Sequence, residues 1–221
     1  MAQSILTRPI IKRLNFNGVL ALSGMLGPVI LIATDLTAAF SQPGYNWLRD
    51  SISSLAWTPM GWLQTIGFLA MGLLTELFVA GIFFNIRGRR GFGIGIGLLV
   101  LFGFGLLLIG AFHTDHTGAP TTVTGMIHGV AARSIFFLFM FSSGLIAPSL
   151  KSDPAWRKLF IYSLAASLLT LALIIVGLWV TDGNFHFGLY ERILVTNTII
   201  WVEVMSIWLL RLSFKRIEEK E

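Results

Sequence analysis

The sequence predicts an all-α, polytopic integral membrane protein: a bundle of six transmembrane helices with a short outer amphipathic helix. Of its 221 residues, 55% are hydrophobic and only 12% are charged, about half the charged fraction of an ordinary soluble domain. Apolar runs of about 20 residues, long enough to cross a bilayer, recur six times. Basic residues lie on alternate connections between these runs, which is the pattern of a chain that crosses the membrane repeatedly.

Hydropathy and helix-breaking residues place the spans near residues 17–40, 61–86, 92–113, 124–148, 158–180 and 189–212, within a single membrane domain over residues 1–221. Thirteen of the 16 Lys and Arg residues lie in residues 1–16, 87–90, 151–158 and 211–221, at the two chain ends and at alternate connections between the spans. Because basic residues favour the cytoplasmic side, we expect a multi-pass protein of the cell membrane with both termini in the cytoplasm.

The same distribution of basic residues indicates what kind of molecule the protein binds. The basic residues flank the spans and form no nucleic-acid-binding patch, so membrane lipids are the expected partners and nucleic acid is not. The sequence does not indicate whether a protein partner or a second copy of the chain is bound.

The connection over residues 41–60 is the longest on the predicted outer side. Pro43 and Gly44 predict a turn. After it, Trp47, Ile52 and Leu55 fall at spacings that a helix would place on one face. We therefore expect a short amphipathic helix at the membrane surface, able to cover a site between the spans.

The third span opens with GFGIGIG, which contains the small-residue pairs Gly91/Gly95 and Gly93/Gly97. Such pairs favour close packing of membrane helices. A phosphate-binding loop would need a preceding strand, and this chain offers none, so the glycines predict packing.

Ionisable residues are concentrated on the predicted outer side. All four histidines fall there at helix ends or in short connections, and so do five acids. The members of this group are His113, His116, His128, His186, Asp35, Asp50, Asp115, Asp182 and Glu191. Since the rest of the chain is almost wholly apolar, this one-sided group predicts an outward-facing polar pocket.

Four motifs occur in order: PGYNWLRDSISSLA, AFHTDHTG, GMIHG and GLYERI. From about Gly18 to Leu212 the chain resembles the multi-pass membrane proteins catalogued as domain of unknown function 998. The resemblance implies no particular activity. It implies that the characteristic polar positions are Asp50, Asp115, His128, Glu191 and Arg192, whereas His113 stands where that family is expected to have proline.

One hypothesis is an enzyme that hydrolyses a lipid or another amphiphile with a divalent metal such as zinc, since imidazole and carboxylate are usual zinc ligands. The candidate metal ligands are His113, His116, His128 and Asp115. The candidate catalytic residues are Asp115, His128 and Glu191. The candidate substrate-binding residues are Asp50, Arg133 and Arg192. Ser51, Ser53 or Ser54 could assist.

A purely structural alternative gives the same residues other partners. His128 would hydrogen-bond Asp115, while Glu191 would pair with Arg49, Arg133 or Arg192. Arg133 lies about five residues deeper than His128. An arginine inside a span is costly to insert, so we expect it to pair with Asp35, Asp115 or Glu191 unless it holds a lipid phosphate.

Other functional classes also stay open, so the sequence does not decide whether the protein is an enzyme. Glu76 and Glu203 lie at matching depths in spans two and six and could share a proton in a small transporter. His113 and His128 could ligate a haem. A non-enzymatic assembly or partner subunit is the remaining class.

Overall fold

The structure is a computed structural model that describes residues 15–116, 118–180 and 186–218. Six helices in this part are long and apolar enough to cross a membrane, which confirms the predicted spans. They are α1 (Phe16–Phe40), α2 (Gly61–Asn85), α3 (Phe92–Ala111), α4 (Val123–Ser152), α5 (Phe160–Val176) and α6 (Phe187–Glu218).

Two helix starts follow directly from local sequence. The Asn15 side chain accepts a hydrogen bond from the Gly18 N–H at 2.9 Å and caps α1. The Thr122 hydroxyl accepts one from the Gly125 N–H at 3.0 Å and caps α4. Short polar side chains in this position satisfy N–H groups that have no partner inside the helix, so these two helices begin where the sequence changes from polar to apolar.

The helices form a closed ring in which each packs against its neighbours in sequence and α6 returns to pack against α1. Trp201 of α6 reaches the centre of the bundle, where its ring lies edge-on to Phe78 of α2 at 6.3 Å and to Phe139 of α4 at 5.5 Å. All three side chains are fully buried. The centre of the bundle at this level is therefore filled by aromatic side chains.

The glycines of α3 differ in how closely other atoms approach them. A Cβ at Gly95 would lie 3.2 Å from the Leu145 Cβ of α4, so Gly95 permits the predicted close approach. Gly93 and Gly97 have open space around them, and the packing predicted for this second pair was wrong. Residues two apart point to nearly opposite sides of a helix, so only one pair can face α4.

We call the end of the bundle that carries the connections 41–60 and 112–122 the histidine end. The opposite end, with the connections 86–91 and 153–159, is the arginine end. His113 and His116 lie in a connection of the histidine end, His128 lies near the start of α4, and His186 directly precedes α6. The prediction that the four histidines share one end is confirmed. Asp182, predicted to join them, lies outside the described residues.

Connection 41–60 is mostly a series of turns. Its helical part is a single 3-10 turn, Ser53–Trp57, shorter than the predicted stretch. Leu55 in this turn is buried and Trp57 is 45% exposed, so the turn does have an inner and an outer face. A longer helix does not form because side chains of α2 and α6 bind the backbone N–H and C=O groups it would need.

Candidate functional site at the histidine end

Arg192 of α6 holds connection 41–60 in place. Its Nη1 donates to the carbonyl oxygens of Trp47 at 2.8 Å and Asp50 at 2.9 Å, and to Gly188 in its own helix at 2.8 Å. Nη2 donates to the Tyr45 hydroxyl, and the guanidinium lies 5.1 Å from the Trp47 ring centroid. An arginine offers five N–H donors, and here Nη1 and Nη2 make three bonds to the connection and one to α6 itself.

The backbone of the connection also closes the first turn of α6. The Gly188 N–H donates to the Arg49 carbonyl at 3.1 Å, and the Leu189 N–H donates to the Leu48 carbonyl at 3.0 Å. These are N–H groups that a helix start leaves without a partner of its own. A Cβ at position 188 would lie 2.4 Å from the Asp50 carbonyl oxygen, so the close approach requires glycine.

Ile52 is held from both sides by polar side chains. Its N–H donates to Oε2 of Glu191 at 2.6 Å, and its carbonyl accepts a bond from the Gln64 side-chain amide of α2. A hydrogen bond to a carboxylate is stronger than one between neutral groups. The backbone at residue 52 is therefore fixed between α2 and α6, and this sets the position of Ser53.

Ser53 and His128 form a hydrogen-bonded pair between the connection and α4. The Ser53 Oγ lies 3.0 Å from Nε2 of His128, and Nδ1 of His128 lies 2.7 Å from the Phe112 carbonyl oxygen. A carbonyl oxygen can only accept, so Nδ1 carries the proton. In the neutral ring Nε2 then accepts from the Ser53 hydroxyl. His128 is 5% exposed.

His113 and His116 both contact Trp57, which extends from the 3-10 turn. The His116 ring stacks on the Trp57 ring at 4.1 Å, and the His113 ring lies edge-on to it at 5.9 Å. Nε2 of His113 is also 2.9 Å from the Thr65 hydroxyl of α2. These two histidines therefore support the position of the turn that carries Ser53.

Asp115 stabilises the start of α4. Its carboxylate accepts from the N–H of Thr122 at 2.9 Å and from the Thr122 hydroxyl at 2.7 Å. These bonds from Thr122 are the main reason that the pKa of Asp115 lies below its usual value. The hydrogen bond expected between His128 and Asp115 is not formed, since His128 bonds Phe112 and Ser53 instead.

The predicted metal ligands share one end of the bundle but have different partners. Within residues 15–116, 118–180 and 186–218, no three His, Asp or Glu side chains gather as a group that could hold a metal ion. Both ring nitrogens of His128 are hydrogen-bonded, as is one of His113. A haem between His113 and His128 would require these same bonds to break.

Asp50 is ion-paired within the connection. Its Oδ1 lies 2.7 Å from the Arg49 Nε, and its Oδ2 accepts from the Asn46 N–H at 2.8 Å. The hydrogen bond from Arg49 is the main cause of the lowered pKa of Asp50, and it raises the pKa of Arg49 in turn. Burial raises the pKa of the nearby Tyr45 to about 12. Asp50 and Tyr45 both border an open cavity of about 520 Å³ in the connection.

Arg133 does not have the acidic partner that the sequence predicts. It lies on the exposed face of α4 with Val130 and Phe137, and its guanidinium extends towards Gly129, one turn nearer the histidine end. In the part of the chain that the structure describes, it makes no ion pair with an acid.

The two deeper acids face different surroundings. A Cβ at Gly103 of α3 would lie 2.5 Å from Oε1 of Glu76, so Glu76 packs against α3. Glu203 of α6 has one buried oxygen, Oε2, with no hydrogen-bond partner among the described residues. The structure describes no hydrogen bond between the two carboxyl groups, and the shared proton stays a prediction.

Residues 25–208 match the model of a protein family described as a protein of unknown function, DUF998. The chain belongs to this family. The match runs from α1 to α6 and so includes the Ser53–His128 pair and the residues that hold connection 41–60. No curated protein and no solved structure matches the chain.

Several site residues of this DUF998 protein were missed in the sequence. Tyr45, Gln64 and Thr65 all bond to site residues. Gln64 and Thr65 form a polar pair near the start of an apolar span, and Gln64 is 3% exposed. Polar side chains within a span are costly unless they are hydrogen-bonded. This pair could therefore have been recognised in the sequence as part of a polar site.

Proposed function

We propose that this DUF998 protein is a membrane-embedded hydrolase that cleaves an acyl ester of an amphiphile, with Ser53 as nucleophile and His128 as general base. The observation that carries the proposal is the Ser53–His128–Phe112 arrangement, with distances of 3.0 and 2.7 Å. A hydroxyl nucleophile next to a base, with the base oriented by a third group, is the general plan of serine hydrolysis.

In the first step Ser53 Oγ attacks the ester carbonyl carbon while its proton moves to Nε2 of His128. The Phe112 carbonyl keeps the other ring proton on Nδ1 and stabilises the imidazolium. When the tetrahedral intermediate breaks down, the carbon–oxygen bond of the ester is cleaved and the leaving alcohol takes the proton from His128. Water, activated by the same nitrogen, then hydrolyses the acyl-serine.

The developing negative charge on the carbonyl oxygen needs hydrogen-bond donors. The backbone N–H of Ser53 has no acceptor among the described residues, and the N–H of a nucleophilic serine can serve in this way. Its position is held by Ile52, whose N–H and carbonyl are both bonded. Glu191 is thus a positioning residue in this mechanism.

The amphiphilic substrate follows from where the pair lies. Trp47, Trp57 and Trp62 are 37%, 45% and 57% exposed at the histidine end, and tryptophan is enriched where headgroups meet hydrocarbon. An ester at headgroup level would lie at the same depth. We place the histidine end outside and the termini in the cytoplasm, because basic residues cluster at the arginine end. The metal-assisted reaction stays a prediction that zinc analysis of purified protein would check.

A fluorophosphonate probe tests the proposal, since it reacts covalently with activated serines. With the protein in lipid nanodiscs, we expect labelling at Ser53, no labelling in Ser53→Ala, and about a hundredfold slower labelling in His128→Ala. Ser54→Ala is the matched control, because Ser54 belongs to the same turn but its hydroxyl bonds the Ser51 carbonyl. It should label normally. Unlabelled wild-type protein, or labelling that survives in Ser53→Ala, would contradict the proposal.

A further inference from the structure

A second feature of the histidine end is a cleft between α1 and α6, on the side of the connection away from α3 and α4. Its volume is about 160 Å³. Apart from Asp35, Arg192 and Thr196, its walls are apolar: Leu31, Ile32, Leu36, Trp47, Ile52, Leu55, Val195 and Ile199. Ile32 and Leu36 are 45% and 40% exposed on the outer surface of α1, so the cleft opens sideways towards lipid.

Asp35 provides an unsatisfied acceptor in this cleft. Its Oδ1 is buried and has no hydrogen-bond partner among the described residues. A buried polar atom without a partner is costly and is a common sign of a missing ligand or ion.

Arg192 also lines the cleft but does not supply the donor that Asp35 lacks. Its hydrogen-bond donors are directed at Tyr45 and the carbonyls of the connection and of Gly188. The cleft therefore has apolar walls and one carboxyl oxygen that no donor among the described residues satisfies. A carboxyl group forms its strongest hydrogen bonds with a cationic donor.

We propose that this cleft binds the ammonium group of an amine-bearing amphiphile. The ammonium donates to Oδ1 of Asp35 in a charge-assisted bond. The volume is below the 300 to 1,000 Å³ usual for a complete small-molecule site. The cleft accordingly encloses the head and the first part of the chain, and the remaining chain lies in the bilayer.

This site is separate from the Ser53–His128 pair and does not require hydrolysis. Ile52 and Leu55 line the cleft, whereas Ser53 between them bonds His128 on the other side of the turn. An amine bound in the cleft and an ester bound at Ser53 would contact opposite faces of one short segment.

Photocrosslinking in phosphatidylcholine nanodiscs tests the proposal. The probe is a long-chain primary alkylamine with a diazirine in its chain, compared with the fatty acid and fatty alcohol of the same chain length. We expect the amine to crosslink to peptides of α1 and α6 and the other two probes not to. Asp35→Asn should lower the yield about tenfold, the loss of one charge-assisted bond, and Asp35→Glu should retain most of it.

Two further variants distinguish loss of binding from loss of folding. The thermal midpoint of every variant is measured. Glu203→Gln is the matched control, because Glu203 is another acid with a buried unbonded oxygen but lies outside the cleft, and its yield should not change. Leu36→Trp fills the cleft without altering its charge and should also lower the yield. Equal crosslinking of all three probes, or an amine yield unchanged in folded Asp35→Asn or Leu36→Trp, would overturn the proposal.

Discussion

The two ends of the bundle use polar side chains in different ways. At the arginine end they tie helices and connections together: Ser213 donates to the Asn15 side chain at 2.6 Å, Trp156 donates to the Asn85 carbonyl at 3.1 Å, and Asp153 accepts from the Arg87 N–H at 3.0 Å. At the histidine end they hold one connection in place, and beside it lie a serine hydrogen-bonded to a histidine and a carboxyl oxygen that has no partner among the described residues.

The polar side chains at the two ends therefore contribute differently to stability and to function. A polar group that bonds another helix end contributes mainly to folding, whereas a nucleophile on a base or an unsatisfied buried acceptor offers an interaction to a ligand. Substitutions at the arginine end should therefore change stability alone. Substitutions at the histidine end should change the position of the connection and, with it, the labelling of Ser53.

The largest loss of stability is expected from Arg192→Ala. It removes the donor to the Trp47 carbonyl and to the Tyr45 hydroxyl, and one of the two donors to the Asp50 carbonyl, at a cost of about 3 kcal/mol. The thermal midpoint in nanodiscs and the rate of proteolysis within residues 41–60 measure it. Arg49→Ala is the control: Arg49 is 53% exposed and pairs only with Asp50 among the described residues, so its loss should lower the thermal midpoint far less. Similar losses in both variants would refute the role given to Arg192.

Gly188→Ala should have the next largest effect. The new Cβ would meet the Asp50 carbonyl oxygen at 2.4 Å and the Arg192 Nη1 at 2.8 Å, and such overpacking costs about 1 to 3 kcal/mol. We expect a lower thermal midpoint together with slower fluorophosphonate labelling, since the connection moves. Gly97→Ala should be neutral or slightly stabilising, because nothing lies within 4 Å of its Cβ position. Unchanged labelling in Gly188→Ala would show that Ser53 does not depend on this contact.

Asp153→Ala tests the arginine end alone. It removes hydrogen bonds to the Arg87 and Ala155 N–H groups, which should lower the free energy of unfolding by about 1 to 2 kcal/mol, as for loss of a helix cap. Labelling of folded protein should be unchanged, because these contacts lie at the opposite end from Ser53. A selective loss of labelling would mean that the two ends are coupled.

The smallest effect concerns pH. The pKa values of Asp50 and Asp115 lie below the usual 3.8 in the folded protein. Their contribution to stability is therefore complete above about pH 4 and is lost as the pH falls through the lower folded values. Protection of the Asn46 and Thr122 amides from hydrogen exchange should be constant from pH 7 to 5, after correction for intrinsic rates, and should fall once the pH drops below the usual aspartate pKa of 3.8. In Asp115→Asn the loss of protection at the Thr122 amide on acidification should disappear. If the loss persists in that variant, a group other than Asp115 causes it.

Much of this architecture was predictable from the sequence, and the site only in part. Hydropathy located the six spans, and the motifs indicated the family and placed Asp50, His128, Glu191 and Arg192 at one end. The sequence did not predict that His128 bonds Ser53 and not Asp115, or that Arg133 lies on an exposed face. Each of these depends on how a helix is rotated about its axis, where one residue changes the direction by about 100°.

The sequence by itself determined which segments cross the membrane and which residues share an end, because the length of an apolar run and the alternation of connections are local properties of the chain. Only the tertiary structure decided the partner of each polar group. Ser53 and His128 are 75 residues apart, and their contact requires Ile52 to be held between Gln64 and Glu191. A hydrogen bond depends on distances of a few tenths of an ångström, and at this site the packing of α2, α4 and α6 around one connection determines those distances.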